Sequence, residues 1–418
     1  MIVKSFVLKR QSLEHIAREI GPDTVAVVRP QRKIEALLKE AIQRTLVEKK
    51  RSDDLLESFE TYFLEMAEDA AYQADVKAAV EGIAAYLREG MYVQTSAVAV
   101  EDYVMARCAR LCAEAVNARV KGRFIDGTQI MLCRSDERGD QHFDWIASRE
   151  QISARCSTGF PLVISGGYGR LDSGYVVRVG KDGAHLMASL IAEVLGASGI
   201  EFHIEDHGID GIPAMTYDEA AHYCASARAP FSSSAIWPAK NAGIPILVKD
   251  IADDSFPGTL ISTDSVHRTA VLSDKDLVLI TVYGTGLLGR VGMSGGIFSA
   301  LAAADVNVRF IAQTSSEYSI SFAVKAGDQA RAQEALHGLF RDNPLLPLDD
   351  VVVLDQAVGI VTVFGSRMRN LPGTSAAVYE KMGAAGINII ASAQGGEELS
   401  ISLVVAEGDT DRAAALLQ

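Results

Sequence analysis

Residues 277–324 read LVLITVYGTGLLGRVGMSGGIFSALAAADVNVRFIAQTSSEYSISFAV, and residues 357–405 read AVGIVTVFGSRMRNLPGTSAAVYEKMGAAGINIIASAQGGEELSISLVV. Gly284 pairs with Gly365, Gly292 with Gly373, Phe298 with Tyr379, Asn307 with Asn388, Gln313 with Gln394 and Ile320 with Ile401, all at an offset of 81 residues. So many matches at one spacing mark an internal repeat. In the first copy Val278, Ile280 and Val282 alternate as a strand with one apolar face. A glycine-containing turn follows, and the stretch from Met293 to Ala304 sets Ile297, Leu301 and Ala304 along one side of a helix. Asp305 to Asn307 then turns the chain into a strand, Val308 to Ala312, and SISFAV extends as another. This order predicts a small α/β sandwich in each copy. A single helical layer leaves strand edges and one sheet face uncovered, so pairing of the copies or of subunits, as a homodimer or higher oligomer, is expected.

Upstream, strands and helices alternate. Val25 to Val28 is a short apolar strand ending at Arg29-Pro30, and helices are expected over Gln31–Val47, Asp54–Arg88 and Val98–Asn117. The last carries an apolar face through Val100, Val104, Cys108 and Leu111. The charged run SDERGD after Arg134 reads as an exposed turn. PLVISGGYG, from Pro161, is a buried strand running into glycines. A helix follows from Ala184 to Leu195, ending at Gly196, then a strand at Ile200–Ile204, a helix at Tyr217–Ala227 and a strand at Ile244–Lys249. Such alternation predicts a three-layer α/β core with a mostly parallel sheet, whose ligands gather at the carboxyl ends of the strands.

Composition narrows the function classes. The chain has 418 residues, enough for two or three domains, with 48% hydrophobic and 22% charged residues. Lys plus Arg is 40 against 54 Asp plus Glu, a net charge of -14, which argues against nucleic-acid binding and offers no polybasic membrane patch. Five cysteines make no disulfide scaffold, and Cys108 and Cys112 find no second pair for a zinc site. The opening MIVKSFVLKR lacks a signal-peptide core and no long uncharged apolar stretch follows, so a soluble cytoplasmic protein is the expectation.

The repeated segments resemble the ACT domains at the carboxyl end of aspartokinases, through DVNVRFIAQTSSEYSISF and GINIIASAQGGEELSIS. The resemblance implies ferredoxin-like domains that enclose a free amino acid of the lysine or threonine class. It assigns effector contacts to Met293, Asn307, Gln313, Ser315, Ser316 and Glu317, with Asn388 and Gln394 in the second copy. The chemistry is apt: a helix start near Gly292 can hold a carboxylate, and Glu317 an ammonium. Residues 1–262 resemble the aspartokinase catalytic domain, of the amino-acid-kinase (carbamate-kinase-like) fold. PLVISGGYG, VGKDGAHLMASLIAEVLGA, PAKNAGIPILVKD and PGTLIS follow one another in the family's order. The resulting division is an amino-acid-kinase-like domain over 1–262 and ACT-like domains over 263–344 and 345–418, the second possibly nested with the first.

The resemblance implies transfer of the γ-phosphoryl group of ATP, with Mg²⁺, to the side-chain carboxylate of aspartate under amino-acid feedback control. Lys9 and Lys181 would steady phosphates and Glu101 would place the substrate. Gly166, Gly167, Gly180, Gly183, His185, Glu205 and Arg228 would line the substrate and nucleotide site. Departures from the family's text fall on these same positions. KFGGTS becomes Ser5-Phe-Val-Leu-Lys-Arg10, so Val7 and Leu8 replace glycines that let a backbone approach phosphate. LGRGGSD becomes Val179 to His185, bringing Asp182 toward the phosphates and His185 in place of an aspartate. Glu205 takes the first acidic position in HIEDHGIDG, and Arg228 lies one residue from the family's lysine. These losses converge on one transition state. They favour an alternative: a non-phosphorylating homologue, a pseudoenzyme acting as amino-acid sensor or as regulatory partner of an active kinase.

Other chemistries find less support. His203, Glu205, Asp206 and His207 crowd together, with His185 and His222 as further candidates, but on a strand leading into a loop their spacing matches no metal motif. No metal site is expected. Ser232 to Ser234 lack a nucleophile elbow.

Overall fold

Apolar runs with no polar alternation become the central strands of the amino-terminal unit, because helices cover both faces of its sheet. The computed structural model describes residues 1–67, 70–92, 96–135, 141–180, 182–205, 209, 212–224, 229–251, 257–263, 270–284, 291–315, 318–341, 352–365 and 368–418. It forms two units, Met1–Val266 and His267–Gln418. In chain order the first unit begins with β1 (Ile2–Leu8), α1 (Leu13–Glu19), β2 (Thr24–Pro30), α2 (Arg32–Leu46), α3 (Asp53–Leu64), α4 (Ala70–Tyr92), α5 (Ala97–Val120) and β3 (Arg123–Ile125). It continues through β4 (Leu132–Ser135), β5 (Gln141–Phe143), α6 (Trp145–Cys156), β6 (Leu162–Ser165), β7 (Tyr168–Leu171), β8 (Val176–Arg178) and α7 (Gly183–Leu195). The remainder is β9 (Gly199–Ile204), β10 (Ala214–Met215), α8 (Tyr217–Tyr223), α9 (Trp237–Ala242), β11 (Ile246–Asp250) and β12 (Thr259–Ile261).

Eight strands make the main sheet in the order β10-β12-β11-β9-β1-β2-β6-β3. Only the β11–β12 pair is antiparallel. Phe6 and Leu8 of β1, with Ala26 and Val28 of β2, pack on one face against α2 to α5. Ser5, on the opposite face, meets His185 of α7. The expected helix over Asp54–Arg88 is instead two, α3 and α4. Unbroken, it would extend roughly 50 Å at about 1.5 Å per residue. Divided, it folds Phe59 and Phe63 of α3 and Val76 and Ile83 of α4 onto one core. A second small sheet, β5-β4-β7-β8, is not foreseen from the sequence, since strands of three or four residues carry too little periodicity. The run from Ser135 to Asp140 lies mostly outside the described residues.

The carboxy-terminal unit comprises β13 (Ala270–Tyr283), α10 (Met293–Ala303), β14 (Phe310–Gln313), β15 (Ser319–Lys325), α11 (Gln329–Arg341), β16 (Val352–Phe364), α12 (Thr374–Ala384), β17 (Ala391–Gln394), β18 (Ser400–Ala406) and α13 (Thr410–Leu417). One antiparallel sheet, β14-β15-β13-β16-β18-β17, runs through both copies. Its two long middle strands each serve twice. Leu277–Tyr283 of β13 pairs with β15 and with Val352–Val358, whereas Ala270–Asp274 pairs with Ile360–Phe364, the segment that also pairs with β18. The register shifts between these halves, where Asp276 adopts φ 59°. The second copy therefore borrows its outer strand from residues that precede the first copy. The expected boundary at 344/345 lies outside the described residues.

Each copy has its own core beneath its helices, with Ile297, Leu301 and Phe322 in the first and Val378, Met382 and Leu403 in the second. On the helix-free face Leu277, Leu279, Phe310, Val358, Ile360 and Val404 form a third cluster, against which Ala312 of β14 and Ala393 of β17 pack. The two edge strands thus help to cover the face that the sequence leaves bare, within one chain. Gly359 sits where β16 passes from one copy to the other. A Cβ there would lie 1.9 Å from Thr410 Oγ1 and 2.8 Å from Thr410 Cβ, and Thr410 is fully buried. Gly359→Ala is expected to cost roughly 1–3 kcal/mol or more through overpacking. Chemical denaturation of the full chain checks this, and the companion change Thr410→Ala, which removes both Oγ1 and Cγ2, should relieve part of the loss.

Candidate functional site

At the carboxyl ends of β2 and β6 the chain opens a cavity of about 130 Å³, lined by Arg29, Glu35, Gly166, Gly167, Arg178, Gly180 and Gly183 among others. Glycine is required by the backbone itself. A Cβ on Gly166 would stand 2.8 Å from both Val27 Cγ1 and Ala184 Cβ, and one on Gly183 would stand 2.9 Å from the Gly167 carbonyl oxygen. Gly167 has φ 96° and Gly180 φ 65°, conformations that side chains rarely adopt. The turn after β6 and the start of α7 are therefore in backbone contact, and the free N–H groups of α7 open beside Arg29. Such a concavity suits a small anion.

Arg178, which lines the cavity, is engaged by carboxylates outside its lining. Glu101 accepts from Arg178 at 3.0 Å and pairs with Lys39 Nζ at 3.2 Å. Asp102 accepts the Arg178 backbone N–H at 3.0 Å. Burial raises the pKa of Glu35 against the pull of Arg29, Arg178 and Lys39, and burial likewise raises that of Asp102 against the Arg178 hydrogen bond. Glu205 receives a hydrogen bond from the Arg32 backbone N–H at 3.4 Å.

His185 does not reach the cavity. It is fully buried beside Phe202 and Phe231, and its Nδ1 lies 2.8 Å from Ser5 Oγ. Burial, then the charge of Arg29, holds its pKa well below the usual value, so the ring is neutral. Ser5 and His185 occupy the positions where the family resemblance implies a lysine and an aspartate. A neutral hydrogen bond thus joins the two positions where that resemblance implies charged residues. Lys9 is half-buried in the turn after β1, where its backbone N–H donates to Ser12 Oγ at 3.0 Å. It does not line the cavity, and Arg10 pairs with Glu65. Lys181 and Arg228 lie outside the described residues, as do Asp206 and His207.

Lys4 points to the other face of the sheet. Its ammonium contacts Glu19 at 2.7 Å and Glu201 at 3.1 Å, and Glu201 also binds His203 and Lys249 at 3.1 and 3.2 Å. Ligand-type atoms of Glu19, Glu201 and His203 all lie within 4.8 Å of one another. Two ammonium groups on the same carboxylate make this an ion-pair network that disfavours a metal ion. The sequence alone does not reveal it. Arg29, Glu35 and Arg178 were also missed, although Arg29 at the end of an apolar strand was a readable signal.

In the carboxy-terminal unit the effector candidates occupy equivalent places in the two copies. Ser294 Oγ donates to Gln313 Oε1 at 3.4 Å, and Ser375 Oγ to Gln394 Oε1 at 3.1 Å. These bonds join the first turn of each helix, opened by Gly292 or Gly373, to an edge strand. Met293 is half-buried beside Ser294, while Asn307, Asn388 and Ser315 are exposed. Ser316 and Glu317 lie outside the described residues. No helix among the described residues is long and apolar enough to cross a membrane.

Comparison with known proteins agrees with both halves. The ACT domain family model matches residues 280–340 and 361–418. A bifunctional aspartokinase/homoserine dehydrogenase of Haemophilus influenzae is 30% identical over 253 residues, covering 56% of this chain and 31% of that protein. A chloroplastic one of Zea mays is 25% identical, covering 69% of this chain and 34% of its own length. The chain thus spans about a third of the length of these curated relatives. Clostridium acetobutylicum aspartate kinase matches all of this chain and 99% of its own, with a TM-score of 0.78 at 18% identity. Escherichia coli aspartokinase III, solved with lysine and aspartate, matches all of this chain and 98% of its own, with a TM-score of 0.77 at 17% identity. Fold and motifs together define an amino-acid-kinase-fold protein carrying ACT domains. The chain carries two ACT domains and is similar, in its amino-terminal unit as well, to aspartokinases.

Proposed function

We propose that this chain is a non-phosphorylating aspartokinase homologue that responds to a free amino acid of the lysine or threonine class through its ACT domains. It would act as a sensor or as regulatory partner of an active kinase. The observation that carries this reading is the Ser5–His185 hydrogen bond of 2.8 Å. Phosphoryl transfer depends on cations gathered around the moving group, and the two positions where the family resemblance implies charged residues hold a neutral pair buried in the core instead.

ATP with Mg²⁺ fits these residues poorly. Arg178, which with Arg29 supplies the positive charge of the cavity lining, is taken up by Glu101 and Asp102. A second reading, ATP-dependent phosphorylation of the aspartate carboxylate, is favoured by one feature, the glycine cradle beside Arg29 at the start of α7.

Calorimetric titration of the full chain separates the two. Saturable heat from lysine or threonine, and none from ATP with Mg²⁺, is expected. Aspartate-dependent release of ADP would overturn the proposal and establish the enzyme.

A further inference from the structure

The chain has only two tryptophans. Trp145 opens α6, Trp237 opens α9, and both line one cavity of about 400 Å³ with Arg149, Ser234, Pro238 and Asn241. None of these residues lines the glycine cavity. Trp145 is 37% and Trp237 61% exposed. Large aromatic surfaces left in water around one hollow mark a binding surface.

The lining specifies the ligand. Trp145 is held in place, with the Phe143 ring edge-on at 4.8 Å and the Arg149 guanidinium 5.6 Å from its centroid. Arg149 also donates to both carboxylate oxygens of Glu193, at 3.1 and 2.8 Å. Its charge is thereby balanced, so the described residues of the hollow offer no free cation to draw a phosphate or carboxylate. Stacking surfaces remain, bordered by the buried Pro238 ring. Asn241, which is exposed, brings an amide that can donate and accept along one edge of a planar heterocycle. The Ser234 hydroxyl, 2.7 Å from that of Ser232, adds a second polar contact. Indole faces take flat π-systems with little regard to sequence or substituent.

We infer that this hollow binds a flat, uncharged heteroaromatic ring of the nucleobase type, stacked on indole and hydrogen-bonded by Asn241. Because every tryptophan of the chain lies there, intrinsic tryptophan emission reports on this site alone. Titrating the full-length protein with adenosine should change the emission saturably, and ribose should leave it unchanged. Trp237→Ala retains Trp145 as reporter and should raise the half-saturation point about tenfold or more, consistent with one lost stacking partner. Trp237→Phe keeps a ring and should bind like the parent, with unchanged melting temperatures confirming that both variants fold. A linear, unsaturable change would overturn the inference, as would equal binding by Trp237→Ala. So would emission that shifts with protein concentration alone as the mass doubles, which would make the hollow a contact between two copies.

Discussion

His185→Asp, which restores the residue that the family pattern carries, is expected to destabilise the protein by roughly 3–5 kcal/mol at neutral pH. The site has no exposure to solvent, and its one polar partner is the hydroxyl of Ser5. A carboxylate placed there would lose its hydration with only the charge of Arg29, which already lowers the His185 pKa, to offset it, because Lys4 projects from the opposite face of β1 toward Glu19 and Glu201. Burial would raise the pKa of the new carboxyl above its unfolded value. The variant would therefore be less impaired below the unfolded pKa and would weaken as pH rises through the raised folded value. Urea denaturation at pH 4 and pH 8 checks both the size and the sign. His185→Gln should cost about 1–2 kcal/mol, the loss of a neutral hydrogen bond. Adding Ser5→Lys to His185→Asp should recover much of the deficit, and equal stability of the single and double variants would contradict the pairing of these two positions.

Glu201→Gln is expected to produce the second large loss. Burial alone would raise the Glu201 pKa, but the hydrogen bond from His203 and the charges of Lys4 and Lys249 outweigh it and bring the value down to about 2. The ordinary value is 4.5, so at about 1.36 kcal/mol per unit the network contributes on the order of 3 kcal/mol. Since the folded pKa is depressed, that contribution is fully present above pH 4.5 and disappears as pH falls toward 2. Burial lowers the pKa of His203 against the hydrogen bond and charge of Glu201. Stability of parent and variant should differ at pH 7 and converge near pH 2. A difference that stays constant with pH would show that packing, not charge, holds these strands together.

The carboxy-terminal half was the more legible part of the sequence. The fixed spacing between copies and the alternation of Val278, Ile280 and Val282 predict the strand and helix order of β13 to β15 and of β16 to β18, but not the closing helices α11 and α13. The division of labour within β13 was not legible, since pairing partners depend on distant segments and not on local pattern. In the kinase-like half, the glycine turn after β6 and the helix from Gly183 could be read because backbone geometry leaves a residue signature. The side-chain networks could not. Lys4, Glu19, Glu201 and Lys249 are scattered along the chain, and only the parallel register of β1, β9 and β11 brings three of them onto one face. Ser5 and His185 illustrate the same limit: each looks like an isolated departure until the fold sets them in contact.

The shared long strands of the ACT unit have a consequence for how this protein can be taken apart. A gene fragment beginning at the second copy would encode every helix of that copy yet lack the segment Ala270–Asp274 that closes its sheet. Deleting the first copy would sever the same ribbon. Neither half is a portable module, so a disturbance at the Ser294–Gln313 junction has a continuous ribbon of backbone along which to reach its counterpart at Ser375–Gln394.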